Sequence, residues 1–255
     1  MSPTASPTTP PAPLSTLWSD PQRQALLATW LAGLQSAHGL VLNSVRLASA
    51  DASFRRYLRV ERVPPSGGGS LVIMDAPPDK ENCQPFVHVA GLMAEAGLKA
   101  PQVLAWDEAN GFMLLTDLGT QTMMQVINPT AAPPLTLYLD AVETLVQWQK
   151  ASREGVLPPY DRPLLLRELE LFPQWYIAQH RQFTLDAAQR KTLDDAFEKI
   201  ITANLSWPSV FVHRDFMPRN LMVQVVTSLR SSLPLTPGLP TATRLGVLDF
   251  QDAVY

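Results

Sequence analysis

Two short polar motifs near the end of the chain carry side chains that could do chemistry. His213-Arg214-Asp215 follows an apolar run and precedes Asn220, which lies five positions after the aspartate, and Asp249 ends a second apolar run. Phosphoryl transfer to an alcohol needs such a set, because one carboxylate must orient the acceptor hydroxyl and accept its proton while other oxygen atoms hold the magnesium that bridges the nucleotide phosphates. The motifs therefore predict Asp215 as the catalytic base, Asn220 and Asp249 as metal ligands, and ATP and Mg²⁺ as cofactors.

Each motif taken alone also has an ordinary structural explanation. A buried histidine is often a hydrogen-bonded core residue, and an aspartate after a strand is often a turn or cap residue. The catalytic interpretation is favoured because the polar positions follow one another in the order and at the offsets that this chemistry requires, each beside an apolar run.

Length and composition limit the function classes. A chain of 255 residues can bury a sizeable core and form two lobes. A formal net charge of -3 with 17% charged residues provides no basic surface for nucleic acid or an anionic membrane. Cys83 is the single cysteine, which excludes an internal disulfide and suits a reducing compartment. No apolar run reaches the roughly 18 residues of a membrane helix, and Met1–Pro13 lacks the features of a secretory signal. We expect a cytoplasmic protein.

The order of elements predicts two lobes of different composition. Asp20-Pro21 starts a helix that ends near residue 38, and strands, a short helix and two more strands follow. These elements are predicted at 41–49, 54–62, 71–74, 87–95, 102–106 and 111–116. Apolar residues at helical spacing then predict helices over 137–149 and 164–180 and one that Thr184 caps and that reaches Leu205. We divide the chain into a disordered tail (1–16), a nucleotide-binding lobe (17–118) and a catalytic lobe (119–255) with a flexible insertion (226–244).

The nucleotide is expected at two places in the first lobe. In a lobe of this kind the first hairpin turn covers the phosphates, and here it lacks glycines, so small side chains, backbone amides and two arginines must serve. The strand over 114–118 ends where backbone groups would read adenine. The candidate nucleotide-binding residues are Ser53, Phe54, Arg55, Arg56, Thr116, Asp117 and Leu118. Glu168, Glu170 and Trp175 could face a substrate cleft, although a solvated helix face is the preferred interpretation.

These motifs resemble the aminoglycoside phosphotransferase and choline kinase superfamily. Within it they are most similar to the bacterial cell-wall-recycling kinases that phosphorylate N-acetylmuramate and N-acetylglucosamine at the anomeric hydroxyl. The resembling stretches are 50–57, 74–78, 85–90, 114–120, 213–220 and 246–255. The resemblance implies an α+β, protein-kinase-like two-lobed fold with a small antiparallel β lobe and a larger, mostly helical lobe. It also implies the roles assigned above to Asp215, Asn220, Asp249 and residues 114–118, and a small amino sugar as partner.

The chain departs from the superfamily pattern in two ways. Met74 stands on the third strand where most members have the lysine that pairs with the nucleotide phosphates, and the following helix lacks the matching glutamate. Arg55, Arg56 or Lys80 could substitute. The chain also ends at Tyr255, where members usually continue with several helices, so we expect an incomplete second lobe with a partly uncovered apolar face near residues 137–148.

Two alternatives stay open at this point. An aminoglycoside phosphotransferase would need an acidic pocket for a polycationic acceptor. A nucleotide-binding pseudokinase or inactive fragment would explain the absent lysine and glycines, although Asp215, Asn220 and Asp249 are all present.

Overall fold

A five-stranded antiparallel sheet and a set of helices form the part of the chain that the computed structural model describes. The described residues are 20–50, 54–64, 68–127, 134–223 and 245–255. The predicted tail at 1–16 and the predicted insertion at 226–244 lie outside them. With the helices that follow the sheet, this is the predicted α+β arrangement.

The sheet has the strand order β1-β2-β3-β5-β4. Its strands are β1 (Leu40–Ala50), β2 (Arg56–Arg62), β3 (Ser70–Asp75), β4 (Val103–Asp107) and β5 (Phe112–Thr116). Successive side chains of a strand point to opposite faces. One face, which we call the outer face, buries Leu58 and Ile73 against the first helix, whereas the inner face carries Tyr57 and Met74 toward the rest of the molecule.

The first helix, α1 (Pro21–His38), has the predicted bounds. The Asp20 carboxylate accepts hydrogen bonds from two first-turn backbone N–H groups at 2.9 and 3.3 Å, which satisfies donors that have no partner within the helix. Gly39 ends the helix with a φ of 64°, a left-handed conformation that favours glycine. Leu27 and Leu31 are buried on the outer face of the sheet, so α1 covers that face.

The second helix, α2 (Gln84–Glu95), begins three residues before the predicted start at Val87. Phe86 in its first turn packs against Phe250, with 4.9 Å between the ring centroids. This contact joins α2 to the segment that carries Asp249. After β5 the chain forms a single helical turn, α3 (Met123–Val126).

Three further helices follow, α4 (Leu135–Lys150), α5 (Arg162–Leu171) and α6 (Ala187–Leu205). The predicted continuous helix over 164–180 is wrong in one respect, because a π-helix occupies Phe172–His180. Pro173 lies at this junction and has no N–H to donate to the preceding turn. The cap of α6 was also misassigned. Asp186, not Thr184, accepts the Gln189 N–H at 2.8 Å, and Gln189 Oε1 accepts the Asp186 N–H at 3.0 Å.

In the described part of the chain, the strand predicted before His213 is reduced to one β-bridge. Val212 and Val254 exchange backbone hydrogen bonds of 2.8 and 3.0 Å. Beyond the motif, β6 (Leu221–Val223) and β7 (Leu245–Val247) form a two-stranded hairpin. The hairpin places the residues on either side of it, Asn220 and Asp249, at the same end.

One buried cluster connects the inner face of the sheet with the helices. It includes Met74 and Met113 from the sheet together with Trp148 and Phe211, whose ring centroids are 4.8 Å apart. Helix α4 turns Trp148 inward while Leu135, Leu139 and Val142 on its other side are 66%, 57% and 58% exposed. None of the helices in the described ranges is long and apolar enough to span a membrane.

Candidate active site

The segment 213–220, which carries the predicted base and which we call the catalytic loop, begins at a buried histidine. His213 is 1% exposed, and its Nδ1 accepts the Asp215 N–H at 3.3 Å. Burial lowers the pKa of His213, and the Leu248 backbone and the nearby carboxylates of Asp249 and Asp215 offset this only in part. The imidazole is therefore neutral at pH 7, and it supports the backbone of the residue predicted to be the base.

Asn220 connects the two predicted motifs. Its Nδ2 donates to the Asp215 carbonyl at 3.0 Å and to Asp249 Oδ2 at 3.3 Å, and the Leu248 N–H donates to the Asn220 carbonyl at 2.9 Å. The structure thus brings together the three residues predicted from spacing alone. The backbone of the predicted base and the side chains of the two candidate metal ligands share one hydrogen-bonded cluster.

The cluster has the donor chemistry for a magnesium ion. Asp249 adopts a φ of 60° and is exposed, and Gln251 Nε2 donates to its Oδ1 at 2.8 Å. Within the described ranges no group of three or more His, Cys, Asp or Glu side chains could hold a metal ion. One carboxylate and one amide oxygen suit Mg²⁺ rather than a metal that needs a full protein cage, because Mg²⁺ keeps waters and substrate phosphates as most of its ligands.

Arg214 is fixed by side chains that the sequence analysis did not connect with it. Its φ is 73°, its Nε and Nη2 donate to Glu168 Oε1 at 2.9 and 2.5 Å, and its Nη1 donates to the Asp252 carbonyl at 3.2 Å. The Tyr160 hydroxyl donates to the other oxygen of Glu168. Glu168 was considered only as a possible cleft residue, and nothing in the sequence connected Tyr160 with the motif.

The other two possible cleft residues lie elsewhere. Glu170 pairs with Arg190 of α6, and Trp175 is 65% exposed on the π-helix.

The residues predicted to bind the nucleotide phosphates have different surroundings. Ser53 lies outside the described residues. Phe54 is 62% exposed, with Lys80 Nζ 4.9 Å from the centre of its ring. Arg55 is largely buried and its Nη2 lies 3.0 Å from Glu81 Oε2, just before α2.

Arg56 lies on the outer face of the sheet. Its Nη2 is 2.8 Å from Oδ2 of the fully buried Asp75, whose Oδ1 accepts from Arg23 Nε of α1 at 2.7 Å. Arg56 and Leu58 lie on the same face of the sheet. Through Asp75, the Arg56 guanidinium helps to hold α1 on that face. Of the two neighbouring arginines, Arg55 is the one directed toward α2.

The segment predicted to read adenine, residues 114–118, which we call the hinge, is held by a buried carboxylate. Asp117 accepts from Arg59 Nε at 2.5 Å, from Ser70 Oγ at 2.6 Å and from the Gly119 N–H at 2.9 Å. Burial alone would raise the pKa of Asp117, but these hydrogen bonds and the Arg59 charge lower it overall. The side chain of Asp117 is thus engaged within the protein.

The residues on either side of Asp117 pack or bond within the fold as well. Thr116 Oγ1 accepts the Gln102 N–H at 2.9 Å. Leu118 lies against Gly246, where an added Cβ would come within 2.8 Å of Leu118 Cδ1. Glycine at this position lets β7 approach the hinge closely.

The position that usually carries the strand lysine is part of the core. Met74 is fully buried on the inner face, in the cluster that also contains Phe86 of α2. A cation on β3 is therefore replaced by apolar packing at this point.

The fold and site define a class of protein. The chain matches the phosphotransferase enzyme family (APH) over residues 44–255 and belongs to it. A solved structure of the aminoglycoside phosphotransferase APH(2")-IIa with gentamicin has the same fold, with a TM-score of 0.53 at 14% identity, and the match covers 89% of this chain and 70% of that one.

Named relatives are more similar in sequence. The chain is 45% identical over 208 residues to the N-acetylmuramate/N-acetylglucosamine kinase of Pseudomonas aeruginosa, covering 82% of this chain and 55% of that protein. It is 42% identical over 241 residues to the kinase of the same name from Pseudomonas putida, covering 94% and 62%. The corresponding values for the Neisseria meningitidis kinase are 42% over 238 residues, 92% and 63%. The chain spans less than two thirds of the length of each of these relatives.

Proposed function

We propose that this phosphotransferase uses ATP and Mg²⁺ to phosphorylate the anomeric hydroxyl of N-acetylmuramate and N-acetylglucosamine, in peptidoglycan recycling. The observation that carries the proposal is the cluster of Asp215, Asn220 and Asp249, connected through Asn220 Nδ2. The relatives that share 42–45% of the sequence are named as kinases of these two sugars. ATP as donor and a single buried cysteine both fit a cytoplasmic enzyme.

Asp215 is the group that handles the proton. Its carboxylate orients the anomeric hydroxyl and accepts the proton as the sugar oxygen bonds to the γ-phosphorus. The bond between that phosphorus and the oxygen bridging to the β-phosphate breaks, and ADP leaves with the electron pair. Mg²⁺ at Asn220 and Asp249 would neutralise charge on the phosphates. The protein contributes mainly by positioning and by charge stabilisation.

Arg55 and Glu81 replace the usual lysine and glutamate pair in this proposal. Arg55 directly precedes β2 and Glu81 lies three residues before α2 begins, so their 3.0 Å ion pair joins the start of β2 to the residues before α2. The first turn of α2 in turn contacts Phe250, the residue after Asp249. In this proposal the Arg55 cation acts on the nucleotide phosphates from there.

Adenine is expected at the segment that joins the proposed lobes, 17–118 and 119–255. Because the carboxylate of Asp117 is engaged by Arg59 and Ser70, recognition there must use backbone groups of Thr116, Asp117 and Leu118. The ion pair then acts by holding the backbone in place rather than by contacting the nucleotide.

The test is the release of ADP by this chain with Mg-ATP. The acceptors are N-acetylmuramate, N-acetylglucosamine, an aminoglycoside and choline, and each assay is repeated with EDTA. Turnover on the two amino sugars that EDTA abolishes supports the proposal. Turnover on the aminoglycoside or choline alone overturns the sugar assignment, and nucleotide binding without turnover on any acceptor indicates a pseudokinase.

A further inference from the structure

We propose that Tyr160 and Glu168 form a clamp on Arg214 that holds the backbone of the catalytic loop and thereby positions Asp215. We call these three residues the Arg214 clamp. The inference rests on the proposed function, because it assumes that Asp215 acts as the base. The clamp residues are positioning residues, since they act on the reaction through Asp215.

The clamp holds its arginine from two sides. Two guanidinium nitrogens of Arg214 donate to one oxygen of Glu168, and the third donates to the Asp252 carbonyl. The Tyr160 hydroxyl occupies the second oxygen of Glu168. Both oxygens of the carboxylate therefore have donors, which fixes its orientation as well as its position.

The protonation states keep these bonds in place. Burial and the Glu168 carboxylate raise the pKa of Tyr160 to about 12, so the phenol remains a donor over the working pH range. Burial alone would lower the pKa of Arg214, but the hydrogen bonds and charge of Glu168 raise it overall. The clamp therefore holds a charged arginine and a neutral tyrosine against Glu168.

The backbone at Arg214 needs such support. Its φ of 73° lies in the left-handed region, where a side chain is strained by crowding against the following carbonyl. Asp215 is the next residue, so relaxation at Arg214 would rotate the catalytic carboxylate away from the acceptor. Strained residues of this kind persist where the surrounding structure holds them.

The backbone at Tyr160 is also connected to the segment just before the catalytic loop. The Tyr160 N–H donates to the Tyr255 carbonyl at 2.6 Å, and the neighbouring Val254 pairs with Val212, just before the motif. Glu168 lies in the last turn of α5, before the π-helix begins. The chain around Tyr160, the final residues and the catalytic loop therefore form one connected unit.

The first measurement compares Glu168→Gln with Glu170→Gln. Both residues lie on α5 and pair with an arginine, but Glu170 pairs with Arg190 on α6 and does not contact the loop. We expect Glu168→Gln to lower kcat about tenfold with unchanged KM for ATP and sugar, Tyr160→Phe to lower it less, and Glu170→Gln to leave it unchanged. A raised sugar KM with unchanged kcat would mean that Glu168 contacts the acceptor and would overturn the clamp.

The second measurement separates backbone strain from charge. Arg214→Ala and Arg214→Gly both remove the guanidinium, but glycine adopts a φ near 73° without strain. We expect Arg214→Gly to retain about tenfold more kcat than Arg214→Ala, at matched thermal stability. Equal losses in the two variants would show that the left-handed backbone is not what the clamp supports.

A third measurement does not depend on turnover. Hydrogen exchange of the peptide containing residues 211–222 should accelerate in Glu168→Gln and stay at the wild-type rate in Glu170→Gln. If the wild-type chain turns over no acceptor, the proposed function fails, and this exchange result still decides whether the clamp exists. Exchange that is equal in both variants overturns it.

Discussion

The catalytic loop and the residues predicted to bind the nucleotide use their charged side chains in different ways. In the loop, Asp215, Asn220 and Asp249 are connected by hydrogen bonds of the Asn220 amide, and Asp249 remains exposed to solvent. By contrast, charged residues that were predicted to bind the nucleotide pair with other residues of the protein. Arg56 binds Asp75, and Asp117 binds Arg59.

Under the proposed function, this difference reflects how each region would bind its part of the substrates. A carboxylate that accepts a proton must reach the reacting atoms, so the loop presents side chains. Adenine that is recognised through main-chain groups needs a backbone of fixed shape, so the charged side chains at the hinge pair with other residues of the protein. Loss of a side chain should therefore impair catalysis in the first region and stability with nucleotide affinity in the second.

The largest effect is expected at the base. Asp215→Asn keeps the shape of the side chain but removes the charge that accepts the proton, so we expect kcat to fall by about a thousandfold while nucleotide affinity stays the same. The assay is ADP release together with nucleotide titration. Asp195→Asn, which removes a charge from the exposed Lys191 pair, is the control and should retain full activity. Wild-type turnover in Asp215→Asn would remove Asp215 from the role of base.

The reverse pattern is expected at the hinge. Asp117→Ala leaves Arg59, whose side chain is 15% exposed, without its carboxylate and should lower the free energy of unfolding by about 3 kcal/mol. We expect KM for ATP to rise and KM for the sugar to change little. Urea unfolding and initial-rate kinetics measure the two effects. Asp194→Ala, which breaks an exposed pair with Arg190, is the control and should leave the free energy of unfolding nearly unchanged. A lower kcat at unchanged ATP affinity would contradict the comparison.

A smaller effect is expected from the buried histidine as pH falls. The folded state lowers the pKa of His213 below its ordinary value near 6.5, so the unfolded chain binds the proton more readily. The stabilisation from the neutral imidazole is fully present above about pH 6.5 and is lost as pH falls from there toward the folded-state pKa. Unfolding free energies measured between pH 7 and 5 should decline more steeply in the wild type than in His213→Asn. Parallel slopes would mean that His213 titrates alike in both states.

The smallest effect is expected from shortening the predicted insertion. Val223 and Leu245 are paired across the β6–β7 hairpin, so a short connection can join them. Deleting residues 228–242 should leave kcat within about twofold of the wild type, because loop length costs little and neither catalytic motif is altered. ADP release and thermal unfolding check this. A large loss of activity at unchanged stability would place the insertion in the acceptor site.

Predictions from the sequence succeeded where the signal was local. Helix α1 was bounded by its cap and its glycine, and the spacing of Asp215 and Asn220 identified two residues that the structure joins by a hydrogen bond. The start of α2, the π-helix and the cap at Asp186 were missed. At the cap of α6, Thr184 lies two residues away and is an equally plausible capping residue. The Arg59–Asp117 pair joins residues 58 positions apart, and no local pattern marks it.

Arg55 and Arg56 show where prediction reached its limit. Both were predicted to bind the phosphates, but strand alternation directs two neighbouring residues to opposite faces, so at most one of them can face the nucleotide. Which one depends on the face that α1 covers, and that follows from packing of the whole lobe.

By itself the sequence determined which residues are candidates for phosphoryl transfer, because a carboxylate, an amide and a second carboxylate in this order suit that chemistry. The tertiary structure decided what supports that chemistry. It placed Glu168 and Tyr160 against Arg214, turned Arg56 toward α1 and engaged Asp117 at the hinge. These contacts join residues far apart in the chain, and they form only when burial brings the helices and strands together, so no local spacing can encode them.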